Sequence, residues 1–261
     1  MTGFAYSIIA NWRSDTQTAF DIGQNGVRTL DALSRLGPPF ANWSIVDASE
    51  TYIPLDQARS QVTGLVEDNV RRIESEPPGP GNGYLFWAST LNLPRVPYRR
   101  SLSLDVAAGS RYCNRLGLEA GGCMAPPDLD IITYPAFKGA LVALASIWPC
   151  PWLCAYAFVS DYWRVSPAPG EAPAPYSTCH MAWIAYLSAP LAAGLVAPAD
   201  LVCEPGPNGG LILSAVTERF DPTDPDHLRR CKQLVEILIE RVDGGKRGPD
   251  PKPVVIVNVD R

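Results

Sequence analysis

The chain has 261 residues, of which 46% are hydrophobic and 19% are charged; this composition is typical of a globular protein and excludes an intrinsically disordered one. It carries 22 Lys and Arg against 27 Asp and Glu, a formal net charge of −5, which argues against a nucleic-acid-binding protein of the usual basic kind. Its two histidines leave little material for acid–base or metal chemistry.

The first part of the chain predicts two strands and two helices. An apolar run predicts a strand over Phe4–Ala10. Apolar residues at near-helical spacing then predict a helix that is capped by Ser14-Asp15 and stops at Gly37-Pro38-Pro39. A strand is expected at Asn42–Val46, and a second helix at Leu55–Glu74.

The middle of the chain predicts a strand pair, a helix and a further strand. The strand pair is expected at Tyr84–Thr90 and Ser101–Ala108, the second of which alternates apolar and polar residues. Residues 111–135 are expected to be irregular, because Gly-Gly and Pro-Pro pairs interrupt them. An Ala/Leu-rich buried helix is predicted at Phe137–Trp148, followed by a strand at Leu153–Val159.

A Pro/Ala-rich stretch at Ser166–Pro175 predicts a linker or a long surface loop. We interpret it as a loop within one domain that spans residues 1–261. The apolar segment Met181–Leu187 would bury poorly unless it packs on the elements that precede it.

The last part of the chain predicts a hairpin and a helix. Strands at Leu201–Glu204 and Leu211–Thr217 are joined by a turn in which Asn208-Gly209 is a hairpin signal. A helix is predicted at Asp226–Val242, and a final strand at Val254–Val259.

Sequence motifs for catalysis are scarce. The chain has no GxxxxGKS/T or GxGxxG phosphate-binding motif and no GxSxG nucleophile motif. Cys150 and Cys154 form a CxxxC pair that Cys179-His180 could join, but no second close pair completes the four ligands of a structural zinc site. Buried thiols are the simpler interpretation, and a metal-dependent enzyme using these residues is the alternative function. No cofactor is expected.

Four carboxylates lie close together near His227 in the segment ERFDPTDPDHL. They can belong to a capped helix start with a hydrogen-bonded histidine, or they can form an acidic surface that docks against a basic cleft of a partner. The carboxylates are Glu218, Asp221, Asp224 and Asp226.

The seven tryptophans also allow two interpretations, burial in the core or exposure at a protein interface. Trp12, Trp43, Trp87 and Trp183 lie on predicted strands or at their ends, which favours the core. The other three flank prolines and loops, so at least one of them is expected to be exposed, and an exposed tryptophan is a typical interface anchor. These three are Trp148, Trp152 and Trp163.

Export and membrane insertion are not expected. The N-terminus lacks a basic residue before Arg13 and has only a short apolar run, unlike a signal peptide. Seven cysteines are read as reduced core residues of a cytoplasmic protein. Two charge-free stretches at residues 139–160 and 172–199 are interrupted by prolines, which favours core elements over membrane spans. A membrane-associated protein is the third alternative.

Several short segments together resemble the immunity protein 52 family of bacterial polymorphic-toxin and type VI secretion systems. The resemblance includes an early strand ending in Trp12-Arg13 and the aromatic segment Phe40–Trp43. Its strongest part is C-terminal and includes Ala182–Ser188, Gly209–Leu213, Thr217–Asp221 and Asp226–Leu228. The chain departs from the family at Ser44–Val46, where a tyrosine and a glycine-containing turn are expected, and its loop at 166–175 is longer than usual.

The resemblance implies a single α+β domain with a mixed, mostly antiparallel sheet, several packed helices and no enzymatic activity. It implies a cytoplasmic immunity protein that binds and neutralises a cognate secreted toxin, typically a restriction-endonuclease-like nuclease encoded by the adjacent gene. Direct binding to nucleic acid or membrane is not expected. The expected toxin contacts are Glu218, Asp221, Asp224, Asp226 and Trp163.

Overall fold

The computed structural model describes residues 4–13, 16–71, 80–91, 98–110, 114–120, 127–159 and 181–242. Ten strands in these residues form one continuous sheet. They are β1 (Phe4–Trp12), β2 (Ser44–Val46), β3 (Tyr52–Pro54), β4 (Tyr84–Ser89), β5 (Leu102–Ala108), β6 (Asn114–Ala120), β7 (Trp152–Val159), β8 (Met181–Leu187), β9 (Val202–Pro205) and β10 (Leu211–Ser214).

The strand order across the sheet is β3-β2-β4-β5-β6-β1-β7-β8-β10-β9. Every pairing between these strands is antiparallel. The mixed sheet expected from the sequence is therefore wholly antiparallel over the residues that the structure describes.

The α-helices of the described residues range from single turns to five turns in length. They are α1 (Ala19–Ser34), α2 (Leu55–Ala58), α3 (Val62–Asp68), α4 (Tyr134–Ile147), α5 (Ala189–Ala192) and α6 (Pro225–Val242). With the sheet they form a single α+β domain, which confirms the expected fold class. In the described part of the chain, no helix combines the length and the apolar character that crossing a membrane requires.

Strand β1 lies at the centre of the sheet, where it pairs with β6 on one side and β7 on the other. Its residue Ile8 aligns with Leu118 of β6 and with Ala155 of β7, and all three are buried. Because side chains alternate along a strand, Tyr6 lies on the same face as Ile8. Tyr6 meets Phe137 of α4 there, with ring centroids 6.4 Å apart.

Helices cover both faces of the sheet around β8. On one face, Phe137 of α4 stacks beside Trp183 of β8 with ring centroids 5.4 Å apart. On the other face, α6 lies against β8, and its buried Cys231 is a neighbour of the buried Cys154 on β7. The segment Met181–Leu187 is thus buried between two helices, which explains how so apolar a strand is accommodated.

The cap of α1 differs from the expected one. Thr18 is the N-cap, and it forms a reciprocal capping box with Asp21: the Asp21 amide donates to Thr18 Oγ1 at 3.2 Å, and the Thr18 amide donates to Asp21 Oδ2 at 3.0 Å. The expected Ser14-Asp15 cap is therefore wrong, and both of those residues lie outside the described ranges.

The single helix expected at Leu55–Glu74 is also wrong. The chain forms α2, a 3₁₀ turn at Arg59–Gln61 and then α3, which ends at Asp68. Immediately after it, Val70 forms an antiparallel bridge with Tyr84 of β4. That pairing requires an extended backbone at Val70. The helix therefore ends before Val70, although apolar residues continue at helical spacing in the sequence.

Strand β6 lies in a segment expected to be irregular. Its buried Leu116 and Leu118 alternate with Arg115 and Glu119, which are exposed. Gly117 interrupts this alternation because a β-carbon there would lie 2.5 Å from Oδ1 of Asp105 on β5. Glycine at this position leaves room for the Asp105 carboxylate. The Gly-Gly and Pro-Pro pairs that follow the strand in the sequence are the pattern that favoured an irregular segment.

The remaining elements agree with the sequence. Strands β4 and β5 pair as expected, and β9 and β10 form the expected hairpin, in which Asn208 adopts a positive φ of 52°. Helix α4 begins three residues before the expected start, because the Thr133 side chain caps it. Both edge strands, β3 and β9, are short and end in proline, which discourages edge-to-edge pairing with another chain.

Candidate functional site

Three loops meet at one end of the domain, which we call the loop end: residues 37–42, 127–133 and 215–224. The first two line one concavity together, and the last two line a second. The Arg219 guanidinium also donates to the Leu129 carbonyl at 3.4 Å, which joins the second and third loops. All four carboxylates expected to contact a partner lie on the third loop or on the first turn of α6.

The third loop is anchored to the core through Phe220 and His227. Phe220 is fully buried, and its carbonyl accepts a hydrogen bond from the Tyr6 hydroxyl at 3.0 Å. Burial of this hydroxyl raises the pKa of Tyr6 to about 12. The centroids of the Phe220 and His227 rings lie 5.7 Å apart. The third loop is therefore fixed by the packing of these two buried side chains against each other.

His227 is buried and forms hydrogen bonds with two residues inside the third loop. Its Nδ1 accepts from the Asp221 backbone amide at 3.0 Å, which leaves Nε2 as the protonated nitrogen of a neutral ring. Nε2 lies 3.1 Å from Glu218 Oε1 and can donate to it. This is the hydrogen-bonded histidine at a capped helix start, the simpler of the two interpretations of this segment.

Two of the four carboxylates stabilise local backbone. Asp221 Oδ1 accepts from the Thr223 hydroxyl at 2.7 Å and from the Thr223 amide at 2.8 Å, and these hydrogen bonds lower the pKa of Asp221. Asp224 Oδ1 accepts from the amides of Asp226 at 2.8 Å and His227 at 3.3 Å, which makes it the N-cap of α6.

Asp226 belongs to an exposed ion-pair network on α6. Its oxygens accept from Arg229 Nη2 at 2.7 Å and from Arg230 Nε at 2.8 Å. The hydrogen bond from Arg229 lowers the pKa of Asp226. Arg229 also pairs with Asp200, in the turn before β9, so the charge of Asp226 is largely balanced by neighbouring arginines.

Glu218 is more accessible than Asp226, with a side chain 63% exposed against 50% for Asp226. It faces the concavity lined by the second and third loops, whose opposite wall includes Leu129, Asp130 and Pro135. The sequence did not single out Leu129 or Asp130, because they lie in the segment expected to be irregular. The sequence feature that marks this turn is the pattern Asp-Leu-Asp at residues 128–130, which directly follows a proline pair.

The cysteines offer little for catalysis or metal binding. Cys150 and Cys154 are buried free thiols, and desolvation raises the pKa of both well above the usual thiol range, which disfavours the thiolate that would bind metal or attack a substrate. Over the described ranges, no group of three or more His, Cys, Asp or Glu side chains could hold a metal ion. Cys179 and His180 lie outside those ranges.

The exposure of the tryptophan side chains agrees only in part with the sequence-based expectation. Trp12, Trp43 and Trp183 are buried as expected, but Trp87 on β4 is 37% exposed. Its position on the strand places it on the sheet face opposite the buried Phe86. Trp148 and Trp152 flank prolines and yet are buried. The indole N–H of Trp148 is satisfied in the core, because Nε1 donates to Thr29 Oγ1 on α1 at 2.9 Å.

Several expected features fall outside the described residues. They are the proposed contact Trp163, the Pro-rich loop at 166–175 and the final strand at Val254–Val259.

No protein-family model matches the sequence, and no curated protein matches it. Among solved structures, the chain is similar to the Pseudomonas aeruginosa T6SS protein PA0821, with a TM-score of 0.53 and 11% sequence identity. The similarity covers 91% of this chain and 73% of that chain. At this level of identity the likeness concerns the fold.

Proposed function

We propose that this chain is an immunity protein that binds and neutralises a secreted bacterial toxin in the cytoplasm of the cell that produces it. The toxin is proposed to be a type VI secretion effector, a nuclease encoded by the adjacent gene. The chain itself acts by occupying the toxin and has no enzymatic activity.

One observation carries the proposal: nearly the whole chain shares its fold with a protein of a type VI secretion system. That system delivers toxins between cells, and a producer needs a protein that protects it from its own toxin. The immunity role itself is suggested by the sequence resemblance to the immunity protein 52 family, which consists of short motifs distributed along the chain.

The chemistry of the loop end fits a binding role. Its exposed side chains include the Asp221 carboxylate, which hydrogen bonds from Thr223 hold in place, and the third loop rests on the buried Phe220. A rigid, charged surface on a packed base favours fast and specific protein association. The buried thiols Cys150 and Cys154 supply no comparable support for a metal-dependent enzyme.

Two mechanisms of neutralisation are compatible with this surface. Carboxylates of the loop end can enter the basic cleft of a nuclease and exclude its nucleic acid. Alternatively, the chain can bind elsewhere on the toxin and block its assembly or loop movement. The expected contacts Glu218, Asp221, Asp224, Asp226 and Trp163 remain predictions under the first mechanism.

Co-expression tests the proposal. The toxin from the adjacent gene is induced in a bacterial host with and without this chain, and we expect growth to be rescued and the two proteins to co-purify. The variant Trp183→Ala is the control for folding, because loss of this fully buried side chain costs about 3–5 kcal/mol and should reduce rescue. Continued growth arrest with the soluble wild-type chain, and no co-purification, would contradict the proposal.

A further inference from the structure

Two segments beside the end of β8 form one surface without charged residues, which we call the uncharged surface. They are residues 188–199, which include α5, and residues 205–210, which join β9 to β10. The two segments lie against each other, because a β-carbon at Gly209 would lie 3.8 Å from Cβ of Ala189. The turn at 205–210 precedes β10 and the third loop follows it, so this turn lies at the other end of β10 from the loop end.

Hydrogen bonds fix the backbone of the uncharged surface. The Ser188 amide donates to the Pro151 carbonyl at 2.9 Å, and the Tyr186 hydroxyl donates to the Pro207 carbonyl at 3.3 Å. From α6, the Arg241 guanidinium donates to the carbonyl of residue 193 at 3.1 Å. A surface that is already ordered loses little conformational entropy when it binds another molecule.

The exposed side chains of the uncharged surface are mainly apolar. Val196 is 90% exposed, more than any other large apolar side chain of the described residues. Ala189, Pro190, Ala193 and Pro205 are exposed as well. A run of consecutive exposed apolar residues is unusual on a soluble domain unless the run takes part in binding. Burial in the core therefore does not account for this end of the charge-free stretch 172–199.

Charged groups border the uncharged surface, and most of them are paired there. Arg13, which is exposed, follows β1, two strands away from β8 in the sheet. A centre depleted of charge with a charged rim is the composition typical of a homodimer interface. The pairs at the rim are Asp200–Arg229, Glu204–Lys138 and Glu240–Arg241.

We infer that the uncharged surface is a self-association interface, which packs against the same surface of a second copy of this chain. Each copy carries a net charge of −5, so two copies repel each other least where neither carries a charge. An uncharged apolar surface is also complementary to itself, as a two-fold symmetric interface requires. Its two segments approach the roughly 20 residues that one side of a standard interface contains. The inference does not depend on the proposed function.

Other occupants fit the uncharged surface less well. Residues 188–199 and 205–210 contain no Lys or Arg, so they offer no cation to the phosphates of a nucleic acid or of an anionic lipid. They also contain no aromatic residue of the kind that anchors a protein at a membrane interface. A foreign protein is selected largely by complementary charge, which this surface lacks.

The test measures the association state of the full chain by sedimentation equilibrium over a range of concentrations. A reductant is present, so that the exposed thiol of Cys203 cannot cross-link two copies. The variants Val196→Asp and Asn208→Asp each place a carboxylate on one segment, and aspartate tolerates the positive φ of 52° at position 208. The controls Phe20→Asp and Gln24→Glu add the same charge at exposed positions of α1, which packs beside α4 on the other face of the sheet.

We expect the mass of the wild type and of both controls to move from one chain towards two as the concentration rises. Both surface variants should dimerise at least about tenfold more weakly, because a two-fold interface brings each new carboxylate close to its own copy. Added salt should leave wild-type dimerisation unchanged or strengthen it, since the centre of the interface has no ion pair to screen. Because the changed side chains are exposed, thermal unfolding of the monomeric variants should match that of the wild type.

Three results would overturn the inference. The first is a wild-type chain that stays monomeric at every concentration, whatever its binding to the toxin shows. The second is a dimer that the surface variants and the controls weaken equally, which would make the overall charge responsible. The third is a monomeric wild type in which Val196→Asp abolishes either flotation with vesicles of phosphatidylethanolamine and phosphatidylglycerol or co-purification with the toxin, which would assign the surface to lipid or to the toxin.

Discussion

Asp224 provides the sharpest test of how the start of α6 is built. Its Oδ1 accepts from two backbone amides, those of Asp226 at 2.8 Å and His227 at 3.3 Å. Replacement by alanine leaves both amides without that acceptor, while replacement by asparagine keeps a side-chain oxygen at the same place and removes only the charge.

The expected magnitudes differ between the two variants. Asp224→Ala should lower the free energy of unfolding by about 1 kcal/mol, within a range of about 0.5–2 kcal/mol for lost N-caps. For a domain of this size that corresponds to a Tm lower by about 2–4 °C. Asp224→Asn should lose only the interaction of the charge with the helix dipole, about 0.3–1 kcal/mol at low salt and less at high salt.

Urea denaturation followed by far-ultraviolet circular dichroism measures both effects, and toxin affinity is measured on the same samples. Asp224→Ala as stable as the wild type would refute the assignment of Asp224 as the cap. A loss of toxin affinity in Asp224→Asn without loss of stability would instead identify the Asp224 carboxylate as a toxin contact in addition to its role as the cap.

Two further predictions concern packing and pH. Gly26→Ala should destabilise the fold by about 1–2 kcal/mol despite the better helix propensity of alanine, because its β-carbon would overlap the buried ring of Phe86. Gly64→Ala, where a β-carbon meets open space, should stabilise it by up to about 1 kcal/mol; the opposite order in urea denaturation would contradict this packing. The hydrogen bond from Arg59 lowers the pKa of Asp31, so the stability that this pair adds is present above the ordinary aspartate pKa and is lost as the pH falls through the lowered value. Asp31→Asn should accordingly be less stable than the wild type at pH 7 and equal to it in strong acid, and a difference that persists unchanged at low pH would contradict the assignment.

Local patterns were sufficient for elements whose signal is contained within them. The apolar stripe of α6, the alternation in β5 and the Asn208-Gly209 hairpin turn all lie where the sequence predicts them. In each case the residues that specify the element are close together in the chain, so no tertiary information is needed.

Tertiary contacts account for the elements that were missed. Val70 leaves the helical pattern because it pairs with Tyr84, and β6 is held in the sheet between β5 and β1 although Gly-Gly and Pro-Pro pairs follow it in the sequence. The same limit applies at the candidate site. Asp130 and Glu218 are 88 positions apart in the sequence, and only the meeting of their two loops places them on one concavity.

The charge of the third loop illustrates how a cluster in sequence differs from a charged surface. Glu218, Asp221, Asp224 and Asp226 look equivalent along the chain, yet one orders a turn, one caps a helix and one is paired with arginines. Glu218 alone among them lines the concavity between the second and third loops. Hydrogen bonding and ion pairing therefore determine which charges of this sequence cluster are engaged locally, and the role of the cluster in binding a partner stays a prediction.

Titration of the purified toxin with the purified chain tests the central claim most directly. The activity of the toxin from the adjacent gene is followed on its own substrate while the amount of this chain is increased. The account predicts that activity falls to background once the chain saturates the toxin, and that unfolded chain has no effect. Toxin activity that stays constant in a large excess of folded chain would contradict it.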